Sequence, residues 1–551
     1  MKINALETID FYKADHLRQY PKWTNFIFSN FTPRSDRLFK KWKEYDWKIV
    51  FFWLQYFIKD FLINCWNDTF FNLPKNDVIK AYKRRMDTSL GKNSIDTYHL
   101  ELLHDLGYLP LEIRALEEWE RSWMKIPVLT ISNTKPEFFW LVNYIETALS
   151  TELWKSITNA TIAFEYKKIF KKYANLTGWN TDFIKFQGHD FSARGLSCKE
   201  DWYKNWQAHL TSFVWTDTVL AISGIEDYYN WNSEKELIGT SIPATEHSVM
   251  SMWQKEKEIE TFKRLISEIY PKWMVSIVSD TWDFWKVLWE HTIELKEDIL
   301  KRWFDDFWNS KVVFRPDSWN PIDIICGYEF YKHLNWNIQK IRDENLNYLL
   351  EDGVIETEED IINYSKNVHA VVKDWDKYYF NWKQLGKEEY KWAIETLWDV
   401  FWGITNEKWF KTLNPKVWLI YWDSITLERQ NNILELLMKK WFSSDNIVLW
   451  IWSYTYQYST RDTFWFAMKA TYWEVNWKGI KIFKQPKTDT WIKNSAKGLL
   501  FVWKDKNWEY YLEEEVSKEK ILSKSNQLKI VFKDWKIIRE TSISEIRKKL
   551  N

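Results

Sequence analysis

Lys311-Val312-Val313-Phe314-Arg315-Pro316-Asp317-Ser318-Trp319-Asn320-Pro321 is the stretch from which the rest of the chain reads. Its apolar run, Val312–Phe314, has the pattern of a buried strand. Pro316 and Pro321 stop that strand from continuing. The strand hands over to Arg315, whose planar fork can give a phosphate two parallel hydrogen bonds. Asp317 beside it can serve ribose hydroxyls or a Mg²⁺ ion. Trp319 is out of place, because a tight turn opening onto phosphate favours a residue without a Cβ.

The same handover recurs along the chain. Met274–Val278 precedes Ser279-Asp280, Val417–Ile420 precedes Tyr421-Trp422-Asp423, and Ile447–Ile451 precedes Trp452-Ser453. Helical stretches such as Ile425–Lys439 lie between several of these runs, and that alternation argues for parallel α/β packing. Polar residues at successive strand ends are the mark of a barrel site. Outside this region Lys48–Phe61 reads as a one-faced helix. Phe138–Leu149 reads as another, with Asn133 or Thr134 as its cap. Hairpins follow Ala467 as far as residue 540, and Ser542–Leu550 reads as a short helix. Residues 330–395 are polar and read as an insertion.

A chain of 551 residues accommodates two domains or one large barrel with additions. Lys+Arg and Asp+Glu are equal at 77 each, which leaves no global basic surface and argues against nucleic acid. No apolar run is long enough for a membrane span, and Met1–Asp15 has no secretory core, so a soluble cytoplasmic enzyme is expected. Cys65, Cys198 and Cys326 form no C-x-x-C, which argues against a disulfide scaffold or a zinc site.

The chain has 41 Trp but only 13 Gly, where average usage would put Gly near 7%, or roughly 39 residues. Asn476-Trp477, Asn507-Trp508 and Asp534-Trp535 each stand by strand-like runs where Asn-Gly or Asp-Gly would signal a hairpin. A Cβ is strained at the positive φ such turns require. Most Trp are therefore expected to be UGA codons of a genome that reads UGA as Gly. Trp53, Trp215, Trp319, Trp422, Trp465, Trp477, Trp508 and Trp535 are the foremost cases. Trp140, Trp154, Trp285 and Trp398, in apolar or aromatic contexts, read as genuine.

The 311–321 stretch resembles the Arg-Pro-Asp-Ser-Gly-Asn-Pro signature of the nicotinamide phosphoribosyltransferase family, with Trp319 in place of Gly. Asp10-Phe11-Tyr12-Lys13, Phe51–Tyr56, His189-Asp190-Phe191, Trp215–Thr218, Pro243–Ser248, Ser276–Asp280 and Thr460-Arg461-Asp462 resemble the family in its order. Trp53, Trp215, Trp319, Trp422 and Trp465 fall where the family carries Gly. The resemblance implies an irregular α/β barrel over 158–484 and an antiparallel β domain from 1–157 with 485–551. It implies transfer of phosphoribosyl from phosphoribosyl pyrophosphate to nicotinamide, with Mg²⁺ and with ATP as a coupling substrate. It also implies a head-to-tail homodimer with shared sites.

Carried over residue by residue, Phe191 and the partner subunit's Tyr12 would sandwich the pyridine ring. Asp217 would accept the carboxamide, with Ala244 and Arg315 beside the base. Arg194, Arg315, Arg461, Lys469 and Lys484 would hold phosphates, as would Arg34 from the other subunit. Asp280, Asp317 and Asp423 would serve ribose and metal. Trp422 and Trp452 read as Gly, with Ser453, would admit the product phosphate. His247 would accept a phosphoryl group from ATP, with Glu246 orienting it. The bland readings are a helix cap for Asp217, turn caps for the strand-end aspartates and surface charges for the cations. The rivals are a nicotinate phosphoribosyltransferase, against which Asp217 argues, and a catalytically dead binding protein if the Trp are real.

Overall fold

The computed structural model describes residues 3–178, 180–305, 309–318, 320–327, 391, 393–421, 425–451, 453–484 and 495–551, and the backbone of five short strands between 329 and 385.

The apolar runs form one parallel sheet. Its strand order is Trp215–Thr216, Gly188–Asp190, Ile447–Ile451, Val417–Tyr421, Val312–Arg315, Val275–Val278. All six strands are buried at every residue, as expected where a parallel sheet is covered on both faces. The segment 240–245 joins the two edges. Thr216 N–H donates to the Thr240 carbonyl at 3.0 Å on one side, and Ser276 N–H donates to the Pro243 carbonyl at 2.9 Å on the other. The curled sheet brings Asp217, Ser279, Asp280, Arg315, Asp317 and Ser453 to the C-terminal ends of its strands.

The second body is a seven-stranded sheet in the order Lys478–Lys481, Ala467–Val475, Thr24–Thr32, Leu129–Asn133, Leu111–Ala115, Lys529–Lys533, Lys536–Ile537. It is antiparallel and draws on both chain ends, as expected. Two expected boundaries move. Ala467–Lys481 leaves the barrel unit, because Ala467–Val475 pairs along its length with Thr24–Thr32. The break at 157/158 falls inside one continuous helix, Glu146–Thr177, whose Ile157 and Thr158 are fully buried. The helix expected over Lys48–Phe61 begins only at Leu54, and Lys48–Val50 is a strand against Arg121–Trp123. Ile49, Val50, Phe51 and Phe52 are buried on every side, which removes the one-faced pattern of a surface helix. Of the 330–395 insertion, the described backbone forms a separate five-stranded antiparallel sheet, its last residues begin the helix Ala393–Phe401, and apart from Lys391 the remainder lies outside the described residues.

Two of the three expected two-residue turns stand where the sequence puts them, whereas at Asn507-Trp508 the strands Phe501–Lys504 and Tyr510–Glu513 are joined by five residues, of which Trp508 alone has positive φ. Asn476-Trp477 joins Val475 to its pair Lys478, and Asp534-Trp535 joins Lys533 to Lys536. Their φ angles are 48° and 60°, and 45° and 71°, positive at both central positions as a type I′ turn demands. Among the described residues nineteen non-glycine residues have positive φ, and twelve of them are Trp, including Trp53, Trp465 and Trp508. Trp140 has φ −61°, and Trp154, Trp285 and Trp398 lie within helices.

Candidate active site

The ring end of the site is built on the two neighbouring strands Gly188–Asp190 and Trp215–Thr216. Side-chain alternation sends His189 and Phe191 to the same side and Asp190 to the other. His189 Nε2 lies 2.9 Å from Asp217 Oδ1, and Ser241 Oγ donates to the same oxygen. Burial by itself would raise the Asp217 carboxyl. His189, Ser241 and the charge of Arg315 outweigh it and hold the group below the ordinary carboxylate value. Asp217 is thus ionised at neutral pH, with its partners on the barrel rather than at a helix start, which corrects the cap reading. Behind it Asp190 is fully buried and accepts from Ser192 N–H and Oγ. Burial and the charge of Asp217 push its carboxyl up to about 7.

Arg315 is also buried, and its backbone N–H donates to Ser279 Oγ at 3.2 Å. Its guanidinium donates to the Thr245 carbonyl. Ala244, one residue earlier, is exposed at the barrel seam and bridges to Ser276. Arg194 lies 5.5 Å from the Phe191 ring centre and 3.7 Å from Glu246, so it joins this end. Glu246 therefore faces Arg194, and its Oε1 takes the Ser248 hydroxyl.

His247, Asp280 and Asp317 meet at the next rim position, with one ligand atom of each within 4.8 Å of the others. His247 Nε2 is 3.1 Å from Asp317 Oδ2, and Nδ1 is 3.2 Å from Thr281 Oγ1. One oxygen of Asp280 fits the turn-cap reading. Its Oδ2 caps the turn by accepting Asp317 and Ser318 N–H, each at 2.8 Å. Its Oδ1 is buried, has no hydrogen-bond partner among the described residues, and faces His247 at 3.9 Å. Burial and repulsion from Asp280 raise the Asp317 carboxyl, against the pull of His247. Two converging carboxylates, one with an unmet buried oxygen, suit a hard divalent cation such as Mg²⁺.

The remaining cations belong to the antiparallel body. Lys469 lies on Ala467–Val475 opposite Asn30, and Arg34 follows the paired strand and donates to the Trp465 carbonyl. Burial lowers the Lys469 ammonium, and Arg34, Lys484 and Arg461 lower it further against Glu146. Arg461 is half-exposed beside Asp462. Tyr12 is 61% exposed, its ring 5.2 Å from His16, and its neighbour Lys13 pairs with Glu146 at 2.8 Å. Arg34, Arg461, Lys469 and Lys484 thus form one electrostatic group, whereas Arg194 and Arg315 belong to the barrel rim. Ser453 is buried at the start of the helix Ser453–Gln457. Trp319, Trp422, Asp423 and Trp452 lie outside the described residues.

His189, Ser241, Thr245 and Ser279 hold Asp217 and Arg315 in place, and the sequence reading assigned them no role. His189 was accessible, since it stands two residues before Phe191 on a strand. Ser241 was not, since its contact depends on the closing segment.

A barrel rim carrying a ring-side aromatic, an ionised carboxylate, a buried Arg and a carboxylate pair defines a phosphoribosyl-transferring class of site. The nicotinate phosphoribosyltransferase (NAPRTase) family matches residues 186–534, and the chain belongs to that family. It is 46% identical over 549 residues to the nicotinamide phosphoribosyltransferase of Acinetobacter baylyi, covering 100% of this chain and 97% of the relative. It is 30% identical over 484 residues to the nicotinamide phosphoribosyltransferase of Mycoplasma pneumoniae, covering 85% and 89%. The crystal structure of human nicotinic acid phosphoribosyltransferase aligns with TM-score 0.47 at 10% identity, over 98% of this chain and 92% of that one. Among the described residues no helix is long and apolar enough to cross a membrane.

Proposed function

We propose that the chain transfers phosphoribosyl from phosphoribosyl pyrophosphate to nicotinamide. The ring nitrogen of nicotinamide bonds to ribose C1′ as the bond from C1′ to the pyrophosphate oxygen breaks, and pyrophosphate leaves with that electron pair. Asp280 and Asp317 supply negative charge for the oxocarbenium-like C1′. They would also hold Mg²⁺, which neutralises the leaving pyrophosphate when bound. The observation that carries the base assignment is Asp217, kept ionised beside His189, Ser241 and Arg315. It accepts an amide N–H and repels a carboxylate in a partly desolvated site.

His247 is the phosphoryl acceptor for ATP in this reading, with Thr281 and Asp317 fixing its ring. A homodimer is supported by the place of Arg34 and Tyr12 away from the barrel rim that carries Arg194 and Arg315: Tyr12 and Arg34 would complete the partner's site. The family reading carries a cytoplasmic location with it. The positive φ at twelve Trp supports Gly at those positions in the working enzyme, through UGA read as Gly.

The test is kcat/KM for nicotinamide and for nicotinic acid in the wild type and in Asp217→Ser. A charge-assisted hydrogen bond contributes about 1.5–3 kcal/mol, so nicotinamide efficiency should fall roughly tenfold to a hundredfold and the gap to nicotinic acid should narrow. An unchanged ratio reopens the nicotinate alternative.

A further inference from the structure

Trp450 lies on the strand Ile447–Ile451, in register with His189, so both side chains rise from the same face of the sheet. Its indole is almost fully buried. It stacks on Phe191, with ring centres 4.3 Å apart and planes at 27°. The Arg315 guanidinium carbon lies 5.4 Å from its ring centre. The His189 ring stands edge-on to it at 4.8 Å and 74°, and His189 is the residue that bonds Asp217. The indole therefore touches three residues that surround the amide acceptor, in the offset-stacked geometry a pyridine ring would adopt on Phe191. An indole and a nicotinamide also have the same number of non-hydrogen atoms.

We infer that the Trp450 indole stands in the slot of the substrate base, so that residue 450 decides whether the ring can enter. Trp at this position closes the slot to nicotinamide and Gly opens it, so the working enzyme carries Gly at 450 as well, in line with the recoding expected for most Trp. The inference rests on the nicotinamide reading above but concerns a position that neither the hairpin signals nor the backbone strain marks, since Trp450 is not among the positive-φ residues. The slot's walls are Phe191, His189 and Arg315, with Asp217 at its polar end. Opening it requires loss of the side chain at 450 without movement of those walls, because all four belong to hydrogen-bonded strands or their immediate ends.

The test uses the full-length chain with Gly at the twelve positive-φ Trp positions and at 319, 422 and 452, carrying Trp, Ala or Gly at 450. Each protein is titrated calorimetrically with nicotinamide and assayed for nicotinamide mononucleotide. Ala leaves most of the slot open and keeps a Cβ, so Trp450→Ala covers the case in which Trp450→Gly fails to fold. The expected result is nicotinamide binding at least tenfold tighter in the folded Ala or Gly protein than in the Trp protein. Equal affinity in the Trp protein and either folded variant overturns the slot assignment, whatever the turnover. Tighter binding without product formation supports the slot and counts against the transferase reading, so the two fail separately.

Discussion

Trp409, Trp477 and Trp508 provide a direct test of the backbone argument. Their φ angles are 69°, 60° and 64°, and their side chains are 77%, 72% and 77% exposed. So exposed a side chain has little buried area to lose, and substitution to Gly acts mainly through the backbone. Relief of the left-handed conformation is worth roughly 1–2 kcal/mol per residue. The greater freedom of Gly in the unfolded chain takes back about 0.4–1 kcal/mol. The net gain is then about 0.5–1 kcal/mol per site, and about 2 kcal/mol for the three together if they act independently. The assay is urea unfolding of the chain with Trp at these three positions and of the triple Trp→Gly variant, read as a change of midpoint at constant slope. Trp140→Gly is the opposing control: with φ −61° and 3% exposure it should lose about 3–5 kcal/mol or more. A triple variant that is no more stable than the parent, or a Trp140→Gly variant that gains stability, would refute the claim that the left-handed positions belong to Gly.

The gene itself offers a second check: Trp53, Trp215, Trp319, Trp422, Trp465, Trp477, Trp508 and Trp535 should be TGA and Trp140 and Trp285 TGG, and TGG at most of the first group sinks the recoding. For His247→Ala, γ-labelled ATP should label the wild type and not the variant, and basal transfer should fall less than the ATP-driven gain in nicotinamide affinity; equal labelling places the acceptor elsewhere. Asp190 has its folded value raised from 3.8 to about 7, so it contributes stability at low pH that is lost as pH rises through that window. At about 1.4 kcal/mol per pKa unit the loss is at most about 4 kcal/mol, and Asp190→Asn should flatten it in denaturant titrations between pH 4 and 7. An unchanged pH slope in that variant assigns the loss to another group.

The sequence by itself determined the local features. Val312–Arg315 and its sister runs read as strands because short apolar runs ended by Pro, Asp or Ser have few other ways to pack. The two-residue turns at 476–477 and 534–535 read as hairpins because the flanking runs and the Asn or Asp specify them, even with Trp in the second place. Family membership was legible for the same reason, since its motifs sit at strand ends and are contiguous in the chain. Only the tertiary structure decided the features that join distant segments. The closing segment 240–245 has no strand pattern of its own and is defined by its partners at 216 and 276. The lowered carboxyl of Asp217 comes, against burial, from His189, from Ser241, 24 residues away, and from Arg315. The separation of Arg34 and Lys469 from Arg315 follows from pairing Thr24–Thr32 with Ala467–Val475 across most of the chain. The contact of Trp450 with Phe191 follows from parallel register, which local spacing cannot encode because hydrogen-bonded neighbours in a parallel sheet are separated by long crossovers.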